Sequence, residues 1–249
     1  MQGKAEGFQT VNRSRDADSL RVAFGREGCP VCIVVLDYLE RSMDSWEYEG
    51  FSDVEHRHEL IQSRGFCPLH TWQLAQRSNA FRLSLVYNEV LTDVLHTLDG
   101  EDSRQASGVN RAKRKPVLHG WWKRWRHQAD ENPERTPCPL CSNRANFEQR
   151  LISTLVQQLR SEEIQLLFSQ STGLCLLHFA QARREAEIND PALSGHLLDC
   201  QRTCIQRVLE EVRELIRKHD YRFSDEPRGD EMLSWRRAAV LCAGNPGIR

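Results

Sequence analysis

The chain has 249 residues, room for one large domain or two small ones. Its 34 basic and 35 acidic side chains leave a formal net charge of -1, which removes any global attraction to nucleic acid or to an anionic membrane. Hydrophobic residues at 39% can support a core, and the longest apolar run, Cys29 to Leu36, is far too short to span a bilayer. The polar opening Met1-Gln-Gly-Lys-Ala-Glu-Gly lacks the apolar stretch of a signal peptide, so the expectation is a cytoplasmic protein with no membrane insertion. In a reducing compartment nine cysteines favour metal binding over disulfides.

In chain order, the first motif is Cys29-Pro-Val-Cys32. The stretch Ile33 to Trp46 follows, free of proline and glycine, with Leu36, Leu39, Met43 and Trp46 at helical spacing. Val34 and Val35 favour strand locally, but no alternating run supports a sheet. Asp53 to Ser63 reads as a shorter second helix, and Cys67-Pro-Leu-His70 then opens a third. Phe81 to Leu98 is a fourth, with Leu83, Tyr87, Val90 and Val94 on one face.

Residues 99–118 read as a linker, marked by Gly100, Gly108 and the basic run ending at Pro116. A Trp-rich basic lead-in precedes Cys138-Pro-Leu-Cys141. The plan then recurs: helices over Asn143 to Leu159 and Glu162 to Ser169, a turn at Gly173, a helix from Cys175, and a long helix from Leu193 to about Lys218. A tail from 221 ends in a short docking helix, about Asp230 to Cys242.

The two motif sets match in register. Thirty-four residues separate Cys32 from Cys67, and thirty-three separate Cys141 from Cys175-Leu-Leu-His178. Gly65 and Gly173 stand two residues before the second pair, Tyr38 and Phe147 six after the first, and Arg41 and Arg150 nine after. Such agreement indicates an internal repeat. The expected domains are 1–98, a first helical zinc module with an N-terminal extension, and 119–220, a second module, with the linker and the tail beside them.

Each repeat offers three cysteines and one histidine, which completes the tetrahedron of a closed structural zinc site. Pro30 and Pro139 suit the first turn of a helix, where a missing N–H costs nothing. A cysteine at a helix N-terminus feels the positive end of the dipole, which favours the metal-binding thiolate. A helix over 33–46 travels out by ~20 Å and one over 53–63 can return by a similar distance. That reasoning groups Cys29, Cys32, Cys67 and His70 around one zinc, and Cys138, Cys141, Cys175 and His178 around a second. An iron–sulfur cluster, a redox-active Cys-Pro-x-Cys and haem are the competing chemistries.

The Cys-Pro-x-Cys motifs followed by Gly-Phe-Cys-x-x-His or Gly-Leu-Cys-x-x-His resemble those of an uncharacterised bacterial domain family. The resemblance covers about 20–100 and 130–245, and extends to Asp225-Glu-Pro-Arg-Gly-Asp-Glu and Ser234-Trp-Arg-Arg-Ala. It implies the cysteine and histidine site and brings no activity with it.

Other features have plain readings. His196, Cys200 and Cys204 could face a third metal, but they belong to the apolar stripe Leu193, Leu197, Val208, Val212, Leu215, so a core role is expected. His56 and His58 are two apart and point to different sides of a helix, so a solvated face is expected. Between 111 and 126, seven basic residues interleave with Trp121, Trp122 and Trp125. Such a stretch can bind nucleic acid, although a solvated linker packed on the second module is the preferred reading. No phosphate loop and no nucleophile elbow occurs. The expectation is therefore an all-α, two-zinc, non-enzymatic scaffold or adaptor for a protein partner. A thiol-based redox or metal sensor, a zinc enzyme and a nucleic-acid binder stand as alternatives.

Overall fold

Capping chemistry and apolar periodicity place the helices. The computed structural model describes residues 14–78, 80–106, 137–223 and 225–248, and among these no strand occurs. Helix α1 spans 14–24. Helix α2, Pro30–Ser45, begins on its proline and runs on through a π-helical turn, Trp46–Gly50. Helix α3, Val54–Ser63, is capped by Asp53, whose carboxylate accepts from the Glu55 and His56 amides at 2.8 and 3.0 Å. Helix α4 is Pro68–Arg77 and α5 is Ala80–Ala106.

After the second Cys-Pro-Leu-Cys come α6, Pro139–Gln158, and α7, Glu162–Gln170. Helix α8 is Leu176–Asn189, and α9 is Pro191–Lys218, capped by Asp190. A 3-10 turn, Asp230–Leu233, leads into α10, Ser234–Ala243. The same order therefore recurs: a Cys-x-x-Cys helix, a short helix, a Cys-x-x-His helix and a long helix.

Most elements fall where periodicity puts them, with two differences. Helix α1 is not anticipated, because Leu20, Ala23 and Phe24, its buried apolar residues, are few among polar neighbours. Helix α5 runs to Ala106, into the expected linker, because Gly100 is tolerated inside a helix that has already nucleated. Val34 and Val35 are helical and buried, since tertiary packing overrides a weak strand preference. The basic, Trp-bearing stretch 111–126 lies outside the described residues.

The chain divides into two compact units, and they are not the expected modules. One combines the described residues up to Glu40 with those from Arg144 onward; the other is Arg41–Asn143. The division falls inside α2 and inside α6. The core of the first unit includes Leu20, Phe24, Val31, Val35, Leu151, Leu155, Phe168 and Leu197, with Phe24 stacked on Phe168 at 5.7 Å. Tyr38 and Phe147, which hold matching positions in the two motifs, stack on each other at 4.0 Å. The core of the second unit gathers Met43, Trp46, Leu60, Phe66, Leu74, Val86, Val90 and Leu140, with Trp46 edge-on to Phe66 at 5.1 Å.

Candidate metal centres

Each ligand pair sits at the start of a helix. Cys29 and Cys138 immediately precede prolines that open α2 and α6, and Cys67 and Cys175 are the N-caps of α4 and α8. Three residues further on, the helix returns the second ligand to the same face. The turns ahead of α4 and α8 need positive φ, +89° at Gly65 and +90° at Gly173, where a side chain would be strained. At Gly173 a Cβ would also lie 2.8 Å from Cys204 Cβ.

All eight expected ligands converge, but in exchanged pairs. Cys29 and Cys32 meet Cys175 and His178, while Cys67 and His70 meet Cys138 and Cys141, each set with its donor atoms within 4.8 Å of one another. The grouping of neighbouring pairs in sequence is therefore corrected. Helix length is the reason. Helix α2 has 16 residues and a further π turn, a rise of at least ~24 Å, whereas the ten residues of α3 return only ~15 Å. The twenty residues of α6 against nine in α7 repeat the mismatch. The chain does not come back to its own first pair and meets the pair of the other motif set instead.

The donor spacing suits a single ion. Zinc bonds of about 2.3 Å to sulfur and about 2.0–2.1 Å to nitrogen give tetrahedral edges of about 3.8 Å for S–S and about 3.5 Å for S–N. In the first centre Cys32 Sγ and Cys175 Sγ are 3.8 Å apart, and His178 Nδ1 lies 3.5, 3.3 and 3.3 Å from the sulfurs of Cys29, Cys32 and Cys175. In the second, Cys141 Sγ is 3.6 Å from Cys67 Sγ, and His70 Nδ1 is 3.2, 3.6 and 3.4 Å from the sulfurs of Cys67, Cys138 and Cys141. A disulfide needs sulfurs about 2.05 Å apart, so these separations describe free thiols and not cystines.

Sequence reasoning missed Glu148. Its Oε1 lies 3.2 Å from His178 Nε2, the ring nitrogen that faces away from the sulfurs. A carboxylate there fixes the tautomer and orientation of a metal-bound imidazole. The available signal is a lone acid on the apolar stripe of Leu151, Ile152 and Leu155 in α6. The matching position in the other motif is Leu39, so that offset offers His70 no carboxylate.

Burial opposes ionisation of His178 and His70, yet hydrogen bonds donated to the neighbouring sulfurs win and raise them to about 11 and about 9. Hydrogen bonds from the other thiols lower Cys175 and Cys67 far below the ordinary thiol range. Burial pushes Cys29 up, and hydrogen bonds to Cys138 and Cys67 push Cys141 up. Burial alone would raise Glu148, but its bond to His178 holds it below its ordinary value.

The third candidate cluster does not form. Cys200 and Cys204 are buried core residues whose thiols face the carbonyls of Gln165 and Phe168, and His196 is exposed. His56 and His58 are exposed as expected.

Fold and site together define an all-helical protein with two centres of three cysteines and one histidine, each able to hold a metal ion. The chain belongs to the family of unknown function DUF6062, whose model matches residues 21–246. No curated protein and no solved structure matches the chain.

Proposed function

We propose that the protein is a two-zinc scaffold that acts in a reducing compartment, the cytoplasm, by binding a protein partner and not by catalysis. The carrying observation is the donor set. Three thiolates and an imidazole complete a tetrahedron, leave no position for water or substrate, and surround the ion with negative charge. Such an ion is a poor Lewis acid and activates no nucleophile. Thiolate softness favours zinc over harder divalent ions. No helix among the described residues is long and apolar enough to cross a membrane. Exposed Leu91 and Leu95, one turn apart on α5, supply an apolar surface of the kind that partners use.

Elemental analysis of purified protein tests the metal and should find close to two zinc ions per chain. Iron instead, or less than one zinc, would overturn the reading. The scaffold role is tested by comparing partners captured from native cells by wild type and by Leu91→Glu/Leu95→Glu. The variant should keep both metals and lose a partner. Identical captures would remove α5 from the proposal.

A further inference from the structure

The two centres carry the same donors in unequal surroundings. Cys29, Cys32 and His178 are 0% exposed and Cys175 is 2% exposed. In the other centre, Cys67 and Cys141 remain half-buried. Zinc leaves a thiolate site mainly by associative exchange, in which an incoming ligand must reach the ion or its sulfurs, so what covers the sulfurs sets the rate.

Residues 244–248, just after α10, cover the first centre. Gly244 has φ +85°, and a Cβ there would lie 3.4 Å from Cys32 Sγ and 3.7 Å from Cys175 Sγ. Its backbone therefore lies against two of the three sulfurs. The Asn245 side chain accepts a hydrogen bond from the Cys29 amide at 2.9 Å, satisfying a donor at the start of α2. Asn245 Nδ2 would be 2.6 Å from a Cβ on Gly28, so that glycine makes room for the amide. Ile248 is buried in the core, and its carbonyl accepts from Arg144 Nη1 at 2.6 Å, which fastens the far end. On the other side of the Cys29 loop, the Gly28 amide donates to Thr172 Oγ1 at 3.1 Å.

We propose that residues 244–248 are a hook that seals the Cys29–Cys32–Cys175–His178 centre, with Asn245 as its positioning residue. The protein then holds one permanent zinc and one exchangeable zinc, the latter at Cys67–His70–Cys138–Cys141 and open to soluble chelating or thiol ligands. The inference rests on the two-zinc reading.

The test is zinc transfer from the loaded protein to a coloured chelator. Wild type should release close to two equivalents in a fast and a slow phase of equal size. Cys141→Ser should abolish the fast phase. Asn245→Ala should speed the slow phase at least ten-fold and leave the fast phase unchanged. A slow phase that does not move, or two phases that accelerate together, would overturn the hook. Protein that never carried two zincs would instead refute the underlying reading. A second measurement needs no variant. Brief alkylation of the zinc-loaded wild type, read by peptide mass, should label Cys67 and Cys141 well before Cys29, Cys32 and Cys175, with exposed Cys242 as the positive control. Equal labelling of both sets would also overturn the proposal.

Discussion

Single residues set how firmly each centre can hold an ion. Glu148 touches no metal ligand atom directly; it acts through the far nitrogen of His178. Removing such a partner typically costs about 10–100-fold in metal affinity. Glu148→Ala should therefore weaken the first centre by that factor in a chelator competition and leave the second unchanged. Equal weakening of both would mean that the effect runs through general stability. Proton linkage gives a second expectation. Zinc entry must expel the protons of the thiols, so affinity rises with pH and falls as pH falls. Calorimetry at pH 7 in buffers of different ionisation enthalpy should detect proton release; buffer-independent heats would contradict it.

Elements decide which pairs meet. Because α3 is shorter than α2 and α7 shorter than α6, the pairs exchange between the two motif sets. Zinc stoichiometry of double variants discriminates the two groupings. Cys32→Ser/Cys175→Ser alters two ligands of one centre and should leave about one zinc per chain. Cys32→Ser/Cys67→Ser alters one ligand of each and should lower occupancy at both. If the second variant retained a full equivalent and the first lost both, the neighbouring-pair grouping would be restored. The capping prolines and the positive-φ glycines matter at this scale as well, because they aim each ligand pair into its turn.

Across the whole molecule, the exchange turns each metal into a link between the two halves of the chain. Cys29 and His178 are 149 positions apart, and Cys141 and His70 are 71 apart. Both cores likewise mix residues from before 106 and after 137. Structural zinc contributes on the order of 10 kcal/mol, comparable with the full stability of a domain. Chelation should therefore unfold the protein, seen as loss of the helical circular dichroism signal. A protease site placed between 107 and 136 offers a sharper check. Cut protein should elute from a sizing column as one species while zinc is bound and should separate once a chelator is added. Separation before chelation would show that the metals do not join the halves.

The all-α class, most helix starts and the eight candidate ligands are legible in the sequence, because each depends on spacings of three or four residues that a helix converts directly into a shared face. Gly65 and Gly173 are legible for the same local reason. Which pair faces which is not, since it depends on the difference between two helix lengths. The same holds for Glu148 and Asn245. The first lies 30 residues from its histidine, and the second lies 216 residues from the cysteine whose amide it accepts. Local chemistry therefore determined what could bind a metal, while only tertiary packing decided how the ligands are shared and which centre is sealed, because sealing is a contact between segments that no short-range pattern relates.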